Sequence, residues 1–212
     1  MPVSLFAKIN LVSAALFLGL SGAAVADYAG AIKAAQVGDY VSALREFKEL
    51  SKKGHPPSQY SIAVMYHFGR GQPRDFAEAL KWYDLAVKKK YAPALNNLAT
   101  MYRFGQGVKI DYEHALELYG DAAPDHSLAK YNLGDMYSKG QGTEKDQRQG
   151  AIWFYKSAQD GFVKAQYKMG ILYEGGIGVP EDLERAKAWF EVAAKKGHKR
   201  AKSALRRLNK NN

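Results

Sequence analysis

The sequence predicts an all-α stack of helix-turn-helix units, and three observations carry that reading. Four tyrosines, Tyr66, Tyr102, Tyr137 and Tyr173, recur at spacings of 36, 35 and 36 residues. Glycines stand three and five residues beyond each of them, from Gly69 and Gly71 in the first copy to Gly176 and Gly178 in the last, and an aspartate stands nine beyond (Asp75, Asp111, Asp146, Asp182). Between these marks the apolar residues fall on single helical faces. A fixed period of this length marks supersecondary units that stack because none can bury its apolar face alone.

The elements follow in order. The opening, "MPVSLFAKINLVSAALFLGLSGAAVADYAG", has Lys8 as its only early charge, an apolar run from Leu11 to Leu20, and small residues ending in Ala24-Val25-Ala26. These are the three regions of a cleavable secretory signal over residues 1–26, with a mature chain starting at Asp27. An uncleaved anchor is the alternative, since Ile9 to Ala26 is almost long enough to span a bilayer. Residues 27–56 form an N-terminal capping repeat: Asp39 lies 36 before Asp75, and Phe47 matches Tyr83. Four full units follow, over 57–92, 93–127, 128–163 and 164–199. Residues 200–212 make a basic C-terminal capping helix, with Ala201 placed 36 after Ala165.

Each unit reads as two helices. In the last copy Ala165, Met169, Gly170 and Tyr173 fall on one face of the first helix. Gly176 follows where a helix end favours a residue tolerant of positive φ. Asp182 is positioned to cap the second helix by accepting its free N–H groups. Ala186, Trp189, Phe190 and Ala193 then form that helix's buried stripe. Gly170 is expected where the two helices approach too closely for a side chain. The second copy departs: Pro124 replaces the helix-closing glycine and one residue is lost, so this helix is expected to end early. Gly150 stands where the other copies have alanine. The glycine pairs are inter-helix turns. A nucleotide-binding fingerprint would need a strand before them and a helix N-terminus at them.

On these residues the chain resembles the Sel1-like repeat (SLR) family, a relative of the tetratricopeptide repeat. The pattern A-x-x-x-L-G-x-x-Y-x-x-G-x-G-V-x-x-D-x-x-x-A-x-x-W-Y-x-x-A-A-x-x-G is almost intact from Ala165 to Gly197, and looser from Ser58, Ala94 and Ala129. The resemblance implies a right-handed α–α solenoid that binds other proteins, often as a periplasmic or surface adaptor or regulator. It also implies a concave side lined by first helices. Cysteine-rich secreted relatives are described as penicillin-binding proteins or β-lactamases, so a cell-wall-directed hydrolase is the alternative. Those relatives carry a disulfide in each repeat, and this chain has no cysteine.

The residues themselves point away from chemistry. Without cysteine there is no thiol nucleophile or thiolate metal site. The five histidines (His55, His67, His114, His126 and His198) form no pair at metal-binding spacing. His55 and His198 share one repeat position after a closing glycine, which suggests a turn role. Acidic pairs such as Glu181-Asp182 sit at helix N-termini, where they complement the dipole. No serine stands in a nucleophile elbow. No cofactor is expected, and the function read is an exported adaptor without catalysis.

The candidate partner-binding surface is the face of the first helices turned away from their core stripe. It comprises Tyr60, Val64 and His67; Asn96, Thr100 and Arg103; Tyr131, Asp135 and Ser138; and Tyr167, Ile171 and Glu174. Rigid aromatics with polar neighbours suit the capture of a protein or peptide. The competing reading packs the tyrosines between adjacent first helices. Formal charge is +10, but the last 18 residues carry eight Lys or Arg and no acid. Lys199, Arg200, Lys202, Arg206 and Arg207 are thus either a solvated cap or a contact for an anionic envelope surface. Nucleic acid is not expected, since an exported protein rarely meets it and no reading motif is present.

Overall fold

The structure, a computed structural model, describes the backbone of residues 22–209 and the side chains of 27–209. The leader assigned to residues 1–26 therefore lies outside the described side chains. Among the described residues there are eleven α-helices, one 3₁₀ turn and no strand, and no helix is long and apolar enough to cross a membrane. The helices are α1 (Gly22–Gln36), α2 (Tyr40–Lys52), α3 (Pro56–Phe68), α4 (Phe76–Val87), α5 (Ala92–Phe104), α6 (Tyr112–Ala122), α7 (Ser127–Lys139), α8 (Gln147–Gln159), α9 (Val163–Gly175), α10 (Leu183–Lys195) and α11 (Lys199–Leu208). The chain divides into two compact units, Met1–Leu98 and Ala99–Asn212, with the division inside α5.

In the first unit α1 packs on α2, α2 on α3, and α3 on α4. In the second, α6 packs on α7, α7 on α8, and so on to α11. Within each of these two runs, helices adjacent in the chain are packing neighbours, as in an α–α solenoid. The recurring aspartates fix the period. Asp39, Asp75, Asp111, Asp146 and Asp182 each accept the backbone N–H three residues on, at 2.8–3.1 Å, capping every second-type helix. The N–H groups of Asp75, Asp111, Asp146 and Asp182 donate to the carbonyls of Tyr66, Tyr102, Tyr137 and Tyr173 at 2.8–3.1 Å. The nine-residue spacing seen in the sequence is therefore a closed hydrogen-bonded turn.

The core is one aromatic per second helix, with alanines around it. Phe47, Tyr83, Tyr119, Phe154 and Phe190 are fully buried. Gly170 behaves as expected: a Cβ there would stand 2.4 Å from the Phe190 ring. Gly150 has the same kind of explanation, since a Cβ would lie 2.2 Å from Ser138 Oγ and 2.9 Å from the Gly134 carbonyl. Helix α6 does end early, at Ala122, and Pro124 lies in the 3₁₀ turn Ala123–Asp125 before α7.

Candidate functional site

The first-helix columns lie in seams between successive repeats. In the first unit Val64, His67 and Asn96 are buried, and Tyr60 is half-buried against Tyr83 and Tyr91, at ring distances of 6.0 and 5.6 Å. Tyr60 Oη accepts from Asn97 Nδ2 at 3.4 Å, and burial pushes its pKa up to about 12. His67 stacks on Phe68 and lies 3.3 Å from the Tyr83 hydroxyl. A ladder that includes these buried groups is not open to a partner. They fill the joint instead.

The second unit shows the same seam. Thr100 Oγ1 and Tyr119 Oη are 2.7 Å apart. Arg103, 4% exposed, donates to the Asp135 carboxylate and to Gln141 Oε1. Asp135 also accepts from Lys139 at 2.8 Å. Burial raises the Asp135 pKa, but bonds from Lys139 and Arg103 outweigh it and hold the carboxyl below the usual range. The structure thus pairs Arg103 directly with Asp135, and adds Gln141 of the glycine turn as a second acceptor that the sequence does not single out. Tyr131 packs on Phe154 and Phe162, and Ser138 lies under Gly150. Tyr167 packs on Phe190 and stacks on His198, ring centroids 4.4 Å apart. Ile171 joins the apolar cluster of Ala201, Ala204 and Leu208, and Glu174 pairs with Arg207. Helix α11 therefore covers the last column. Its Lys199, Arg200, Lys202 and Arg206 remain exposed.

The seam has a periodic signal that went unread. His55, Tyr91, His126, Phe162 and His198 recur every 35 or 36 residues, just before each first helix. Four of them meet an aromatic of the first helix of the same unit: Tyr28 with His55, Tyr60 with Tyr91, Tyr131 with Phe162, and Tyr167 with His198. The histidines are held neutral. Burial lowers His55 and His126 to about 4, and lowers His198 in the same direction, helped by Arg200 and Lys164. His126 Nδ1 and His198 Nδ1 use their lone pairs to accept the N–H groups of Ala129 and Ala201. Among the described residues no group of three His, Cys, Asp or Glu is placed to hold a metal ion.

An accessible recess lies elsewhere, on the outer side of α8. It is a groove of about 800 Å³, open to solvent, between α8 and the turn that follows α9. Ile152 and Tyr155, 40% and 41% exposed, form its floor with Met169 and Val179. Arg148 and Lys156 stand at its sides. Tyr155 is braced edge-on by Trp189, and the Lys156 ammonium rests 4.1 Å over Trp153. Among the described residues no carboxylate lines it. The geometry offers a braced aromatic, an aliphatic patch and two cations. It offers no nucleophile beside a base.

Comparison with known proteins follows the fold. The Sel1 repeat matches at residues 56–91, 92–123, 127–162 and 163–198. A protective antigen present in uropathogenic Escherichia coli strains, displaying an SLR fold, is 32% identical with a TM-score of 0.77, over 87% of this chain and 40% of its own. A Sel1 repeat protein from Oxalobacter formigenes is 35% identical with a TM-score of 0.71, over 78% of this chain and 49% of its own. The cysteine rich protein B of Helicobacter pylori, 20% identical with a TM-score of 0.50 over 62% of this chain and 96% of its own, shares the fold alone. This chain spans less than half the length of the first two. No curated protein matches it. The four matched repeats cover well over half the residues, and the chain belongs to the Sel1 repeat family.

Proposed function

We propose that the protein is an exported polypeptide-binding module that holds a segment of another protein against its repeats and performs no chemical step on it. The observation that carries this reading is the open groove along α8, where Ile152 and Tyr155 remain exposed in a helix whose opposite face is fully packed. Solvent-facing apolar residues in a recess rimmed by polar groups are characteristic of interaction sites. Solenoids of Sel1 repeats commonly serve as protein-interaction scaffolds, which supports the same reading. Trp189 braces Tyr155, and buried Ala151 and Met169 lie in the lining, so a bound segment meets a surface that needs little ordering. The exposed basic face of α11 serves as a secondary electrostatic contact with the anionic envelope surface.

The test is site-specific photo-crosslinking in the native host, with a benzophenone amino acid at position 155 and a control at Lys187 on α10. A discrete adduct at 155, absent at 187 and digestible by protease, is the expected outcome. Equal smears at both positions would remove the groove from consideration. Amino-terminal sequencing of the same purified protein checks export, with Asp27 as the expected first residue.

A further inference from the structure

Four positions on the outer face of α8 differ in kind from their equivalents in the other copies. Arg148 replaces Ala77, Glu113 and Glu184, and Lys156 replaces Leu85, Asp121 and Val192. Ile152 replaces Lys81, Glu117 and Ala188, and Tyr155 replaces Asp84, Gly120 and Glu191. The period that builds the stack thus breaks at the four side chains that define one recess, and it breaks toward two cations flanking two apolar groups.

Resting on the polypeptide-binding reading above, we infer that this groove takes an extended acidic segment in which two carboxylates flank an apolar side chain, in the order acid-x-apolar-x-acid. The register follows from two periods. Arg148 and Lys156 are eight residues apart on one helix, which places them about 12 Å apart along its axis. In an extended peptide, residues i, i+2 and i+4 point the same way, and i to i+4 spans roughly 13 Å. A carboxylate at each end therefore reaches one cation while the central side chain lands on Ile152 and Tyr155. The alternating x residues face solvent and stay unspecified.

Charge decides between this occupant and the chain's own apolar N-terminal stretch. Residues 1–26 contain Lys8 and no Asp or Glu, so they bring nothing to Arg148 and Lys156. A groove whose lining holds two cations and no carboxylate selects an acidic ligand over a neutral one. Both cations are exposed, so recognition is strong only when two carboxylates act together.

The experiment titrates the full ¹⁵N-labelled chain with a seven-residue capped peptide, Ser-Glu-Ser-Leu-Ser-Glu-Ser, and with its lysine counterpart, at low ionic strength. Shifts confined to 147–159 and 176–180, with the glutamate peptide at least tenfold tighter, are expected. The double variant Arg148→Glu/Lys156→Glu is expected to invert that preference while its circular dichroism stays unchanged. If both peptides bind equally well, the acidic specificity falls but the groove remains a polypeptide site. If neither peptide moves α8 and position 155 yields no crosslink, both readings fall. If α8 signals of the free chain shift with its own concentration, a second copy occupies the groove and the acidic segment is overturned.

Discussion

Gly176 and Gly178 offer an internal experiment on what the paired turn glycines do. Both have left-handed φ, +61° and +70°, so alanine at either position carries the same conformational cost of about 1–2 kcal/mol. Their surroundings differ. At Gly176 the nearest atoms to an added Cβ are those of Glu181 at 3.5 Å, an ordinary contact. At Gly178 the Cβ would stand 2.1 Å from the Gln147 carbonyl oxygen and 2.6 Å from its carbon. That is backbone, in the first turn of α8, held by the Asp146 cap. It cannot rotate away. The turn would have to retreat by about 1 Å, at an overpacking cost of roughly 1–3 kcal/mol on top of the strain. Gly178→Ala is thus expected to lose about 2–5 kcal/mol and Gly176→Ala about 1–2. Urea unfolding followed at 222 nm reads both, with slopes compared to confirm that the same surface is exposed. For a chain of this size the melting temperature falls by about 2–4 °C for each kcal/mol lost. Equal losses in the two variants would show that the second glycine serves conformation alone, and that close approach does not lock one repeat onto the next.

Other outcomes follow from the same structure. Lys90 has φ +54° at the position held by Gly54, Gly161 and Gly197 in other copies, so Lys90→Gly is expected to raise stability by about 1 kcal/mol in urea unfolding. His55 and His126 titrate near 4 when folded against 6.5 when unfolded. The unfolded chain therefore binds more protons between those values, and stability falls as pH drops from 6.5 towards 4, by about 2 kcal/mol per histidine at pH 5; a flat melting temperature between pH 7.5 and 5 would refute it. Tyr131→Ala combined with Tyr167→Ala removes two seam aromatics and is expected to cost about 2 kcal/mol or more at each site by thermal melting, contrary to a purely partner-facing role. Ile152→Lys with Tyr155→Asp restores the residues of the first full copy, Lys81 and Asp84, and is expected to lower the unfolding free energy in urea by no more than about 1 kcal/mol, the loss of the Trp189 contact, while abolishing peptide binding.

The helices, their turns and their order were legible because each rests on a local rule that repeats. Asp182 predicted a cap and is one; Gly176 predicted a left-handed helix end and has φ +61°. The candidate surface was less legible, and the reason is specific to repeats. A column such as Tyr60, Tyr131 and Tyr167 recurs with the period whether it faces a ligand or the next repeat, so periodicity cannot separate the two. What separates them is the residue opposite, and that residue, Tyr91, Phe162 or His198, is itself periodic. Reading His198 alone as a turn residue hid the stack it makes with Tyr167.

In a one-dimensional array, side chains common to every copy report the packing that all copies share, so a function peculiar to one protein has to be sought where a copy departs. Departures also arise from packing, and the structure separates the two kinds. Gly150 departs because Ser138 fills the space its Cβ would take. Buried Arg103, with Asp135 and Gln141, ties α5 to α7 across the copy in which Pro124 removes the regular helix end. Each of these is accounted for by a neighbour it touches. Ile152 and Tyr155 are accounted for only in part: Tyr155 meets Trp189 edge-on and accepts from Gln159, yet about two-fifths of each side chain stays in water. Partly exposed apolar residues also stand at the Lys156 position of other copies, Leu85 and Val192, so exposure by itself does not set α8 apart; apolar groups flanked by two cations do. The acidic segment proposed above gives that pairing a use, with its central side chain on the apolar groups and its carboxylates on the two cations.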